Sequence, residues 1–476
     1  MAADDVVGPL VQSVRAFAED HLRPLEIDRA HHIPREVLTG LAELGLFGVT
    51  LPTEYGGAGL SALAATEVVA ALAEHDRSVA TTVGLHLGLG TRGLVAWGSR
   101  AQHERWLPGL AAGTCIGAFA TTEPGAGSDL SAIASLVKER PGGLTLTGNK
   151  IYVTNGGFAS LLTITASTPG LGGAQKGTSL LLVDPKTPRV LLQPEEHKLG
   201  LRGSSTTAFI FDDVQLGHDA LIGEPGHGAK QLAHVLSWGR LLLSAGTVGT
   251  ARAALQKTLA HVHERVQFRR ALVRLEVVQQ QLAHAAARLF GMQALVRYAA
   301  HAEDDHERLA RLTTSSKVFC SEGAWELCDL AVQLHGGSGY IEDTGVAVML
   351  RDARVPRIFE GANDVLLTHA GLGELMKPTP APAMPELQPL FDAVDARRQA
   401  IGGLRGLQQH AAQRELGRAV VWRDATIAAH RAASSHLERA AAAHLLEEAL
   451  RVAHATPFHA GPIADLVSAI VEGKLP

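Results

Sequence analysis

Apolar residues recur every three or four positions from Val7 to Ala111. They shift to short β-branched runs between about Cys115 and Leu216, then return to the longer period near Gly228. One kind of layer cannot serve both periods. A 3.6-residue repeat buries one stripe of a helix, whereas a repeat of two buries one face of a strand. VQSVRAFAEDHL, REVLTGLAELGLFG and SALAATEVVAALAEH carry the helical period, with Ser61 placed as the N-cap of the last. LTLTGNKIYVTN, LLTITAS, TSLLLVD and TTAFIFDDVQL are short and bounded by Gly, Pro, Asn and Asp, as strands are. Helical stretches then run to about Leu375. The Pro-rich KPTPAPAMPELQP reads as a linker that isolates a helical tail. The expected fold is α+β and mostly α. It has an N-terminal helical domain (1–115), a middle antiparallel β domain (116–226) and a C-terminal four-helix bundle (227–376). A linker and helical appendix follow (377–476).

Composition narrows the function. Apolar residues make up 46% of the 476, aromatics only 4%, so Ala, Leu and Val supply the packing and favour helix on helix. A net charge of −5 with no long basic run argues against nucleic acid as the main partner. Cys115, Cys320 and Cys328 show no metal or redox spacing, which fits a reducing compartment. The histidines are scattered and no H-E-x-x-H helix occurs, so no metal is assigned. MAADDVVG is acidic where a leader would be basic, and no apolar run reaches the roughly 18 residues that span a bilayer. The expectation is a cytoplasmic protein, with membrane contact at most peripheral.

Three segments carry chemistry. In RIFEGAND, Glu360 stands behind Ile358-Phe359 and before Gly361. Apolar neighbours raise a carboxyl pKa and suit a proton abstractor; a surface acid at a helix start is the other reading. FATTEPGAGSD, Phe119 to Asp129, sets Gly127 and the hydroxyls of Thr121, Thr122 and Ser128 in a turn. Such a loop suits a pyrophosphate or a heterocycle's polar edge, or is an ordinary connection. In KIYVTNGG, Tyr152 and Thr154 alternate on one strand face, as a platform for a flat ring requires, or as a strand simply ending in a turn. Gly88-Leu-Gly90-Thr-Arg-Gly93 matches G-x-G-x-x-G literally. It lacks the βαβ setting and the acid about 20 residues on that a dinucleotide fold needs.

TEPGAGSD, TNGG, KLGLRGSST, HGGSGY and RIFEGAND, in that order, resemble the acyl-CoA dehydrogenase family from about residue 7 to residue 375. SEGAWELCD and the tail make the chain most similar to the very-long-chain branch. The resemblance implies FAD held by Phe119, Thr121, Thr122, Gly127, Ser128, Tyr152, Val153 and Thr154, with Ala362 and Asp364 beside it. It implies that Arg265, Phe268, Gln333, Gly336 and Gly337 reach the FAD of a neighbouring subunit, hence a homodimer. Glu360 matches the base that removes the α proton of an acyl-CoA, while the β hydrogen leaves as hydride to the flavin. Some branches carry the base on a mid-chain helix just before an arginine. Here that arginine is Arg240 and the residue before it is Gly239, which can abstract nothing. Ser128, Ser237, Arg240 and Gly361 match substrate contacts. The backbone N–H of Glu360 and a flavin ribityl hydroxyl would hold the thioester carbonyl. An electron-transfer flavoprotein would accept the electrons.

Gly90 and Gly93 match positions that line the acyl pocket. Their lack of side chains suggests a deep pocket and a medium to very long chain, or else close helix packing. Arg269, Glu276 and Ala362 depart from the family pattern near the cofactor or the subunit contact. The alternatives are an oxidase-type relative using O₂, a dehydrogenase of carrier-bound acyl groups, and a non-catalytic scaffold on the same fold.

Overall fold

The computed structural model describes residues 3–171, 177–404 and 406–455, so the end of the expected appendix, 456–476, lies outside the described residues. The N-terminal region is helical: α1 (Ala3–His21), α2 (Pro24–Ala30), α3 (Arg35–Glu43), α4 (Ala62–His75), α5 (Arg77–Leu85), α6 (Arg92–Trp97) and α7 (Arg100–Ala111). The Ser61 hydroxyl accepts the Ala64 N–H at 3.4 Å and caps α4, as its residue type favours. Asp76 does the same for α5, accepting the Val79 N–H at 2.8 Å. The literal glycine motif, Gly88 to Gly93, begins in a wide turn over His86–Gly90 and ends in the first turn of α6, with no strand before it.

The middle region is one sheet of β1 (Gly117–Ala120), β2 (Leu136–Arg140), β3 (Gly143–Thr154), β4 (Leu161–Ser167), β5 (Thr178–Val183), β6 (Val190–Leu192), β7 (Thr206–Leu216) and β8 (Leu221–Ile222). The strand order is β6-β7-β3-β2-β4-β5-β8, with β1 also on β4. Pairing is antiparallel as expected except at β4, where β1 and β2 both run parallel. β1 pairs with Leu161–Ile164 and β2 meets β4 at Ser167, so they occupy successive stretches of one edge. The loop between them leaves the sheet at that break. Its position follows from an interrupted strand, which periodicity alone does not reveal.

The C-terminal region is built on α8 (Gly228–Glu264), followed by a short hairpin, β9 (Val266–Gln267) and β10 (Arg270–Ala271). Then come α9 (Glu276–Ala300), α10 (His306–His335), α11 (Gly337–Tyr340), α12 (Val346–Asp352) and α13 (Asn363–Met376). Leu241, Leu242 and Ala245 of α8 share one core with Val68 and Val69 of α4. The two helical regions are thus packed on each other, because α4 is rich in alanine. Gly249 has no room for a side chain: a Cβ there would fall 2.1 Å from the Ala70 carbonyl oxygen.

The appendix, α14 (Gln388–Ala400), α15 (Gly406–Ala432) and α16 (His436–His454), is not isolated by its Pro-rich linker. α15 crosses α13 with the backbones touching: a Cβ on Gly371 would lie 1.9 Å from the Gln413 oxygen, and one on Gly417 1.8 Å from the Leu367 oxygen. Buried Arg423 pairs with Glu374 at 2.7 Å, and Arg311 with Asp424 at 2.8 Å. Among the described residues no helix is long and apolar enough to cross a membrane.

Candidate active site

The chain between α12 and α13 makes one short turn at Val355–Arg357 and then bends sharply. Glu360 has φ +55° and Gly361 φ +100°. A left-handed conformation is free to glycine but costs a glutamate about 1–3 kcal/mol, so the surroundings must impose it. They do so through cations on two successive carbonyls. Arg240 Nε donates to the Glu360 oxygen at 3.0 Å, and Lys317 Nζ to the Gly361 oxygen at 2.6 Å. Lys317 also donates to Asn363 Oδ1 at 2.7 Å, and Asn363 Nδ2 to Glu322 Oε1 at 2.7 Å.

The Glu360 side chain turns toward α8. A Cβ on Gly239 would sit 2.5 Å from its Oε2. The two locations that could carry a base therefore converge on one point, and the missing side chain at 239 makes room for the carboxylate from 360. Oε2 is buried and has no hydrogen-bond partner. Burial pushes the Glu360 carboxyl up to about 7, against the opposing pull of Arg240, Lys317 and Arg77. A small cavity of about 20 Å3 opens beside it, lined by Arg77, Thr81, Gly84, Leu85, Gly239, Leu242, Leu243 and Phe359. The surface-acid reading of RIFEGAND does not hold.

The glycine-rich loop is tied to β3 by an ion pair that sequence reading missed. Lys150 Nζ meets Glu123 Oε1 at 2.6 Å, both side chains buried, and donates to the Thr121 oxygen at 3.0 Å. Glu123 also accepts the Ala134 and Ser135 N–H groups at 2.7 and 3.0 Å. Lys150↔Phe209 and Val153↔Thr207 leave one extra residue on β3, a bulge that breaks the expected alternation. Tyr152, at φ +55°, is turned outward and 63% exposed. Val153 points into the β core, so it can offer a ligand only its backbone. Thr154 is buried, and Asn155 Nδ2 bonds the Thr82 oxygen of α5 at 3.0 Å.

Several expected contacts are engaged elsewhere. Phe119 is buried in an apolar cluster with Leu89 and Leu161. The Thr121 hydroxyl shares a hydrogen bond with Thr165 at 2.6 Å, while Thr122, Gly127 and Ser128 keep exposure on the loop. Ser237 is buried and donates to the Ala233 oxygen at 2.9 Å, so it is not available to a substrate. Arg240 serves the loop, and Gly361 supplies the turn beside it. Gly90 and Gly93 give no depth to a pocket. A Cβ on Gly90 would fall 2.7 Å from the Gly117 backbone carbon, and one on Gly93 3.2 Å from Leu180 Cδ1. They serve close packing, and Gly84 lines the cavity instead. Ala362 and Asp364 border a separate cavity of about 430 Å3, closed on one side by Trp422. The Asp364 carboxylate is held by Arg414 of α15 at 2.6 Å.

Arg265, Phe268, Gln333, Gly336 and Gly337 are all exposed. The stacked rings of His261 and His335, 4.3 Å apart, hold their two segments side by side. Arg265 lies roughly 39 Å from Gly239 along α8, so one chain does not bring this group to Glu360. Phe268 and Tyr340, 83% and 84% exposed, give that end an apolar rim.

The donor set fits FAD. Gly125 and Gly127 face open space, since a Cβ on either would meet nothing within 4 Å. Beside them stand the half-buried Thr122, the exposed Ser128 and the outward ring of Tyr152. That is an open backbone loop, hydroxyl donors and an aromatic, as a flat heterocycle with a polar edge requires.

Helices on either side of a small sheet, an open hydroxyl-bearing loop and a buried carboxylate frame the candidate site. The chain belongs to the acyl-CoA dehydrogenase family, whose members are FAD-dependent. The N-terminal, middle and C-terminal domain models of that family match residues 9–114, 118–214 and 226–372. Butyryl-CoA dehydrogenase from Megasphaera elsdenii superposes with a TM-score of 0.75 at 31% identity, covering 78% of this chain and 98% of that one. The mitochondrial very long-chain specific acyl-CoA dehydrogenase of Mus musculus is 34% identical over 369 residues, 76% of this chain and 56% of its own length. The chain thus spans little more than half of that relative. An acyl-CoA dehydrogenase from Bacillus anthracis, complexed with FAD, shares the fold over 94% of this chain and 86% of its own (TM-score 0.85, 24% identity).

Proposed function

We propose that the protein oxidises the α,β bond of an acyl thioester, with CoA as the carrier, to a trans-2-enoyl thioester. The observation that carries this reading is the Glu360 carboxyl, buried against Gly239 and raised to about 7. An α proton of a thioester is weakly acidic, and a base with a pKa near ambient pH in a dry site is suited to remove it. Arg240 and Lys317 hold the loop from behind, so the carboxylate stays aimed while its charge changes. The backbone N–H of Glu360 is the donor we assign to the thioester carbonyl, where negative charge develops. Bound FAD supplies the acceptor for the β hydrogen. Thr122, Gly127, Ser128, Tyr152 and the backbone of Val153 and Thr154 would hold it.

We further assign a homodimer in which Arg265, Phe268, Gln333, Gly336 and Gly337 complete the cofactor site of the other copy. Their exposure, and the distance of Arg265 from Gly239 along α8, support this. An electron-transfer flavoprotein is the proposed electron acceptor. The test is anaerobic bleaching of the flavin by a series of acyl-CoA thioesters, run beside Glu360→Gln. Wild type bleaches and the variant loses at least 10³-fold in rate. A variant that bleached at the wild-type rate would remove Glu360 from its role. Oxygen uptake during turnover would point to the oxidase alternative.

A further inference from the structure

We propose that His284, His444 and Glu448 form a site for one divalent transition-metal ion, zinc above all, that staples α16 of the appendix to α9 of the bundle. The site is independent of the chemistry at Glu360. His444 and Glu448 stand four residues apart on α16, so both project from one stripe of that helix. The third group arrives on α9 from 160 positions away, so the scattered histidines, followed along the chain, mark no site.

One donor atom from each of the three lies within 4.8 Å of the other two. Donors about 2.1 Å from a tetrahedral ion lie about 3.4 Å from one another, so small side-chain rotations close the set. His284 Nδ1 and His444 Nε2 are already 3.0 Å apart, and their rings meet at 87°. One of these nitrogens must carry a proton for the other to accept. An ion can take the place of that proton and gain a carboxylate as well. Glu448 pairs with Arg451, whose side chain is 67% exposed. An exposed guanidinium holds its partner weakly and can withdraw into solvent. The cation nearest His284 on its own helix, Arg288, is answered by Glu326 at 3.2 Å.

Two imidazoles and a carboxylate suit zinc, whereas calcium and magnesium take oxygen ligands. His284 is exposed, which leaves the fourth position to water. The packing shows what the ion does. Leu445 of α16 sits over Gly291 of α9, where a Cβ would fall 2.8 Å from Leu445 Cδ1. An ion on His444 and Glu448 fixes α16 at a second point, toward its C-terminal end.

The experiment uses the untagged, FAD-loaded full chain, stripped with a chelator and titrated with Zn²⁺ in a calorimeter. Co²⁺ serves as the spectroscopic probe, since its visible absorption reports a tetrahedral set of ligands. The expected result is one Zn²⁺ per chain, held against a large excess of Mg²⁺ and Ca²⁺. His284→Ala, His444→Ala and Glu448→Gln each weaken binding at least tenfold and lose the Co²⁺ spectrum. Arg451→Gln frees the carboxylate and tightens binding, a gain that misfolding cannot mimic. His301→Ala, at the exposed end of α9, keeps the wild-type affinity. Zn²⁺ also slows hydrogen exchange along α16 in wild type but not in His284→Ala. Failure to bind one equivalent, or wild-type affinity in all three ligand variants, would overturn the proposal. One equivalent bound with α16 exchange unchanged would overturn the staple.

Discussion

Glutamine at 360 changes stability as well as rate, and the two effects share one cause. The Glu360 carboxyl rises from 4.5 to about 7 on folding because burial disfavours its charge. The folded state therefore holds this proton more tightly than the unfolded chain. Its contribution to stability is fully present below pH 4.5 and is lost as pH rises through about 7. A gap of that size corresponds to about 3 kcal/mol. Glutamine resembles the protonated acid and cannot ionise. Glu360→Gln should match wild type in urea unfolding at pH 4 and exceed it by about 3 kcal/mol at pH 8. Both proteins are to be compared as holoenzyme, at equal FAD and protein concentration. Over the same window the wild-type bleaching rate should rise about tenfold per pH unit below 7 and level off above it. Parallel stability profiles for the two proteins, or a rate flat from pH 5.5 to 8.5, would refute the claim that burial tunes this acid.

Lys317→Met removes the bonds to the Gly361 oxygen and Asn363 and one of the charges that favour Glu360 ionisation. The pH–rate profile should move to higher pH, with kcat falling at least tenfold while the protein retains FAD. Breaking the buried Lys150–Glu123 pair with Lys150→Met should cost about 3–5 kcal/mol. Weaker FAD binding, read by equilibrium dialysis, would locate the damage in the loop. Gly417→Val drives a side chain into the Leu367 carbonyl. The appendix should detach from α13, exposing α15 to limited proteolysis while the remaining helices stay protected, at a cost of about 2–4 kcal/mol.

The sequence by itself determined the change from helical to strand period and back, hence the three regions and their order. It also marked the candidate site residues, since Glu360, Gly127, Tyr152 and Thr154 are local choices of residue type. Ser61 capped α4 because an N-cap depends only on its own turn. The partners from distant segments were illegible. Lys317 precedes Glu360 by 43 positions and stands in a polar run, TTSSK, that marks no partner. Nothing local pairs Lys150 with Glu123; only the sheet brings them together and buries both. Gly90 and Gly93 were open to two readings, and only their distance from β1 and β5 chose packing over pocket depth. The appendix looked detached because a Pro-rich segment marks a break in the chain, not in space. Tertiary structure decided that Gly371 and Gly417 let α15 lie on α13, and that the empty position at Gly239 receives the carboxylate of Glu360. Periodicity records which face of an element is buried. It does not record against what, and a carboxyl's pKa and a cavity's floor depend on that second fact.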